Sequence, residues 1–233
     1  MESGYQGAAG LKDLRVLIGC ERSGVVREAF NAYHGVWAFS CDLAPPEDGR
    51  TDVHMQCDVL TALNDGWDLA IFHPTCTYLT VSAEWAYGDG PYHQNVKPGT
   101  LVGAARRAAR EDALVFFLKL LNAPIKHIAI ENPVGCISTR IRKPDQIIQP
   151  YQFGDDASKQ TCLWLKNLPL LVPTEYIPPR IVNGKKRWAN QTDSGQNKVS
   201  PSDDRWMERS RTYPGIAWAL AEQYVKALTL NKT

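Results

Sequence analysis

The stretch LRVLIGCERSGVVREAFNAY, residues 14–33, decides the fold. Residues 14–18 are an apolar run of strand length and Gly19 breaks it. Val25, Val26, Ala29 and Phe30 then recur at helical spacing. Strand, turn and helix make one α/β unit, and the chain downstream repeats it. VWAFS (36–40) reads as a second strand ending at Cys41 and Asp42, and a short third is expected within 52–60, before Asp58. DLAIF (68–72) is a buried strand that runs directly into His73, Pro74, Thr75 and Cys76. Residues 100–121 form an amphipathic helix, and HIAI (127–130) is a further buried strand ending on Glu131, Asn132 and Pro133.

This alternation predicts a Rossmann-like, doubly wound, mostly parallel α/β sheet. Ligands in such sheets sit at the carboxyl ends of the strands. Gly19 to Gly24, Asp42, Asp58, the turn of Cys76, and Glu131 with Asn132 all fall there, on one rim. After residue 140 proline, glycine and polar residues become frequent. A loop is expected at 152–159, a short strand at 161–164, a connector at 168–179 and a polar, mobile stretch at 185–205. The last helix, 216–228, places Ala217, Leu220, Ala221, Tyr224 and Leu228 on one face, which Trp218 need not share. The expected division is a flexible lead-in at 1–10, a core at 11–145 and 206–233, and a small irregular substrate-facing region at 146–205.

Whole-chain properties narrow the function. The 233 residues are 44% hydrophobic and 22% charged, enough for one real core. No apolar run reaches the length of a membrane span, and residues 1–10 lack the order of a secretory signal, so a cytoplasmic protein with no membrane partner is expected. The net charge of +1 is small for a protein that grips duplex DNA unaided. Basic residues do cluster, at Arg106, Arg107 and Arg110, at Arg140, Arg142 and Lys143, and at Lys185, Lys186 and Arg187. Each cluster could be solvated surface or a phosphate-facing patch. The six cysteines are scattered without a CxxC pair, which argues for a reducing compartment and against a disulfide framework. A metal pair of His73 and Cys76 finds no second pair, so no metal is expected.

Cys76 follows a strand, in a polar turn where local dipoles can stabilise a thiolate. Glu131 ends what would be the neighbouring strand, and partial burial would raise its pKa enough to donate a proton. A thiol nucleophile and a carboxylic acid suit attack on C6 of a pyrimidine, with the acid serving N3 and C5 becoming nucleophilic. Asp42 suits a ribose diol and Asp58 the amine of an adenine, although either could singly be a turn or cap residue.

Taken in order, these residues resemble the cytosine-C5 DNA methyltransferases, small phage and prophage members in particular. The resemblance rests on GCERSGVVREAF (19–30), SCDLAPPE (40–47), QCD (56–58), HPTCTYLT (73–80), IENPVG (130–135), PYQFGDDASKQTCLWLKNLP (150–169) and YPGIAWALAEQ (213–223). It implies a class I methyltransferase-type sheet with a short irregular C-terminal appendage, and S-adenosylmethionine as cofactor. Cys76 would be the nucleophile, Glu131 the acid at N3 and Asn132 a positioning residue. Gly19, Glu21, Gly24, Asp42, Asp58 and Pro74 would face the cofactor, and Thr75, Arg140, Arg142 and Lys159 the substrate. The sequence departs from the family in having Thr75 directly before the cysteine and GCERSG in place of a glycine-richer turn. Only 173–204 stands where a long target-recognition region is usual. DNA is the expected partner, with a base flipped out and the loop 80–99 helping to hold the strand. A free cytosine nucleotide such as dCMP and a non-catalytic cofactor-binding phage accessory protein are the alternatives.

Overall fold

The computed structural model describes residues 13–81, 83–92, 96–198 and 211–230. The expected lead-in at 1–10 and the end of the substrate-facing region, 199–205, lie outside them.

Strand β1 (Leu14–Gly19) leads into helix α1 (Val25–Asn31), followed by β2 (Val36–Asp42), β3 (His54–Gln56) and the single turn α2 (Val59–Ala62). Next come β4 (Leu69–Phe72), α3 (Gly103–Leu121), β5 (His127–Pro133) and the short α4 (Ile137–Arg140). Strands β6 (Gln146–Ile148) and β7 (Thr161–Lys166), a hairpin of β8 (Arg180–Val182) and β9 (Lys185–Arg187), and α5 (Pro214–Leu230) complete the chain.

The main sheet has seven strands in the order β3-β2-β1-β4-β5-β7-β6, with β7 antiparallel to both neighbours and the other pairs parallel. This is the mostly parallel Rossmann-like sheet expected from the alternation. The order reverses between β1 and β4, the position where such sheets open a binding crevice. The expected core boundary at 145 falls ahead of two sheet strands. β7 is the short strand expected at 161–164, extended to Lys166, and its backbone pairing with β5 on one side and with β6 on the other draws both into the sheet.

Side-chain alternation divides the core into two faces. Leu14, Val16, Ile18, Leu69, Ile71 and Ala129 pack under α1 and α5, where Phe30, Leu220 and Tyr224 are fully buried. Leu17, Ala70, Phe72, Ile128 and Ile130 point the other way, onto Val59 of α2 and Leu114, Phe117 and Leu120 of α3. Helix α5 buries the face expected for it and leaves Trp218 half exposed. Its N-terminus has Pro214 in the first turn, and the Asp155 carboxylate accepts from the Gly215 N–H at 2.9 Å.

The segment expected to be mobile is structured as far as it is described. Asn183 and Gly184 take left-handed φ angles of 48° and 73°, the two-residue turn that closes a tight hairpin. Trp188, just beyond, is buried and stacks on Tyr151 with ring centroids 4.2 Å apart. Asn190 ties the same segment to Ser158 in both directions, at 3.0 Å each way.

Candidate active site

The register of β4 against β5 pairs Phe72 with Ile130. One residue further along each strand, His73 meets Glu131, Nδ1 to Oε2 at 3.1 Å. One further still, the Asn132 side-chain amide donates to the Pro74 carbonyl at 2.8 Å. The turn carrying Cys76 is therefore fastened to β5 by side chains of the strand end itself. It is also closed internally, because the Leu79 and Thr80 N–H groups both donate to the Cys76 carbonyl at 3.0 Å. A third fastening comes from Gly135, where an added Cβ would lie 1.9 Å from the Leu79 carbonyl oxygen. That close approach lets the Cys136 N–H reach the same oxygen at 2.8 Å.

These groups line one cleft of about 310 Å³ at the carboxyl ends of β1, β2, β4 and β5. Its wall brings together Cys76, Glu131 and Asn132 with Glu21, Asp42, Pro74 and Thr75 from the sequence expectations, and adds Cys20, Arg22, Ser23, Glu47, His73 and Arg211. Cys76 is half-buried, Pro74 buried and Thr75 exposed. Among the described residues, Glu21 Oε2, His73 Nε2 and Asn132 Oδ1 are buried side-chain atoms without a hydrogen-bond partner, and all three residues line this cleft. Buried polar groups are otherwise almost always paired. Their concentration here marks a surface shaped for a polar ligand.

Glu131 departs from its expected state. Burial alone pushes its carboxyl up. Hydrogen bonds from His73 and Thr161, and the charges of Lys159 and His73, outweigh that and hold it below the usual carboxylate range. At neutral pH the side chain is thus a carboxylate rather than the acid expected from burial. The antiparallel β7 supplies two of these groups: it sets Thr161 opposite Pro133 and leaves Lys159 just ahead of the strand.

Other expected site residues stand apart from the cleft wall. Asp58 caps α2, accepting from the Leu60 N–H at 2.9 Å, and reaches the cleft only through its charge on Cys20. Gly19 makes room for protein rather than ligand, since a Cβ there would lie 2.5 Å from the Phe72 ring. Gly24 has φ +78° and its vacant side is filled by Arg27 and Asp48. Arg140 pairs with Glu111 at 2.8 Å and Arg142 with Asp145 at 2.8 Å, away from the cleft. Lys159 is not part of the wall, but its charge acts on Glu131.

The first basic cluster staples the loop after Cys76 to α3. Arg106 is buried and donates to the Thr77 carbonyl at 3.3 Å. Arg107 reaches the Tyr87 carbonyl at 2.6 Å, and Arg110 reaches the Tyr78 carbonyl at 2.9 Å while lying over the Tyr87 ring. At the mouth, Arg22 and Arg211 converge on Glu47, which joins the run into α5 to the loop after β2.

Cys20 takes a left-handed φ of 59° and its thiol is pushed up to about 12, by burial first and then by the Asp42 and Asp58 carboxylates. Cys162 is pushed up to about 11 by burial and Glu131. Burial and a hydrogen bond with Cys57 also push Cys41 up, its sulfur 3.7 Å from that of Cys57. Among the described residues no cluster of His, Cys, Asp and Glu is arranged to hold a metal ion, and no helix is long and apolar enough to cross a membrane.

Three further residues build this site beyond those expected for it. His73 stands directly before the cysteine turn, a place that marks it in the sequence. Thr161 and Gly135 act through register and close approach, which no local pattern carries.

No family model and no curated protein matches the chain. Among solved structures, a protein provisionally described as a DNA modification methyltransferase encoded within a prophage of E. coli is similar at a TM-score of 0.41 and 12% identity. The match covers 73% of this chain and 53% of that one. This chain thus spans about half the length of that protein.

Proposed function

We propose that the chain is a methyltransferase that uses S-adenosylmethionine to methylate C5 of cytosine through a covalent bond between Cys76 and C6. One observation carries the reading: Cys76, Glu131 and Asn132 meet in a single cleft whose buried polar atoms await a ligand. The order of the sheet supports it, because the crevice opens where the strand order reverses.

The residues present fit the cofactor. The unpaired Glu21 Oε2 is an acceptor for an ammonium group, and Asp42, on the same wall, suits a ribose diol. When bound there, the cofactor supplies an electrophilic methyl group. The chain's own residues supply the rest. Cys76, as thiolate, forms the bond to C6 and drives the ring electrons toward N3 and C5. Glu131 addresses N3, and Asn132 holds the Pro74 carbonyl, which keeps the turn carrying Cys76 against the end of β5. After C5 loses its proton, the C6–sulfur bond breaks and the thiolate is restored.

DNA is the substrate in this reading, with the β8–β9 hairpin as the basic element available to it. Arg180, Lys185, Lys186, Arg187 and Lys198 stand there against Asp193 alone between residues 176 and 198. A free cytosine nucleotide is the second reading, favoured by the intramolecular engagement of Arg106, Arg107, Arg110, Arg140 and Arg142. Incubation with methyl-labelled S-adenosylmethionine and, separately, duplex DNA, single-stranded DNA and dCMP separates the two. Label in duplex DNA, lost in Cys76→Ala, is the expected result. Label in dCMP alone would replace the first reading with the second, and label in none would overturn both.

A further inference from the structure

Thiolate addition to C6 needs a proton or a strong donor at N3, and Glu131 in its resting state is a carboxylate with none to give. The group beside it is His73. The imidazole is nearly fully enclosed, with Nδ1 3.1 Å from Glu131 Oε2 and its backbone N–H fixed on the Gly19 carbonyl at 2.9 Å. Its other nitrogen, Nε2, is buried without a partner among the described residues. It lies in the cleft wall that holds Cys76. Charged neighbours come from every side of the cleft: Glu131 from β5, Lys159 from the run into β7, and Glu21 and Asp42 from the ends of β1 and β2. The ion pairs of Glu47 with Arg22 and Arg211 lie at the mouth.

The geometry points to His73 as the positioning residue that sets the orientation of Glu131 and supplies the proton it passes to N3. This role rests on the C6-attack reading above. The step balances: the Nδ1–H bond of His73 breaks and Glu131 carries the proton to N3. The thiolate electron pair forms the sulfur–C6 bond, leaving His73 one proton short and Glu131 the carboxylate it began as. When the C6–sulfur bond breaks, the same proton returns by the reverse path.

Two measurements test this, one of which needs no substrate. In protein carrying ¹³C-carboxyl glutamate, the Glu131 titration midpoint should rise by about one pH unit or more in His73→Ala. An unchanged midpoint would overturn the positioning role whether or not the chain methylates anything. His73→Asn keeps a donor near the Nδ1 position but cannot titrate. Its adduct formation is read with a 5-fluorocytosine-containing duplex at saturating concentration, so that a change in binding does not enter the rate. Formation of the Cys76 adduct should slow about 100-fold, with a changed pH profile. Adduct formation by His73→Asn at the wild-type rate and with the wild-type pH profile would overturn the proton role. A wild-type protein that forms no adduct, with Glu131 still answering to His73, would sink the C6-attack reading and with it the proton path, leaving the positioning role standing.

Discussion

At the residue scale the site depends on how each group's surroundings set its charge. Glu131 is held below the usual carboxylate range by His73, Lys159 and Thr161 despite its burial. A carboxyl depressed in the folded state adds stability above its unfolded value, near 4.5, and loses that contribution as pH falls through the folded value. Glu131→Gln should therefore be less stable than wild type at pH 7, with the gap closing below about pH 4.5, as urea unfolding at a series of pH values would read. A gap constant across that range would remove the ionised Glu131 from the account. The thiols differ in the same way. With Cys20 near 12 and Cys162 near 11, brief iodoacetamide treatment at pH 8 should leave both unmodified, along with the buried Cys41, when peptides are read by mass spectrometry. Early labelling of Cys20 would contradict the enclosure described for it.

Elements, rather than single residues, deliver Cys76 to Glu131. The turn after β4 is held from β5 by Asn132, from the start of α4 by the close approach of Gly135, and from α3 through the arginine staple. Gly135→Ala puts a carbon where the Leu79 carbonyl oxygen stands, so that strand and turn must separate. The expected cost is about 1–3 kcal/mol in urea unfolding, together with loss of Cys76 adduct formation. A variant of unchanged stability and activity would show that the approach is not needed. Here the limits of the sequence are physical. The apolar runs of β1, β4 and β5 and the spacing in α3 and α5 announced themselves, because burial selects for periodicity. Gly135 and Thr161 did not, because a close approach and an antiparallel register depend on segments distant in the chain. Lys159 was expected at the substrate, but not its charge on Glu131. The stapling role of the Arg106 cluster is not legible in the sequence because its main partners are backbone carbonyls, which leave no mark in composition.

At the scale of the whole molecule, the sheet gathers the ends of β1, β2, β4 and β5 around one cleft, and the chain after β7 places a small basic hairpin close by. Its root is tied to Ser158, next to Lys159, and to Tyr213, close to Arg211 at the cleft mouth. With a net charge of only +1, any grip on a duplex has to be local. Lys185→Ala combined with Lys186→Ala should weaken duplex binding and lower the salt slope by about two, while transfer to dCMP stays unchanged. Equal duplex binding and salt dependence in the variant would move DNA contact elsewhere or favour the free nucleotide.

In the proposed reaction the Cys76 sulfur bonds to C6 of a cytosine. Its most direct measurement is mass spectrometry of the protein after incubation with S-adenosylmethionine and duplex DNA containing 5-fluorocytosine, which has no C5 proton to lose. A stable covalent adduct is expected on the Cys76 peptide, absent in Cys76→Ala. Methyl transfer to normal cytosine with no adduct, or with the adduct on another residue, would contradict it.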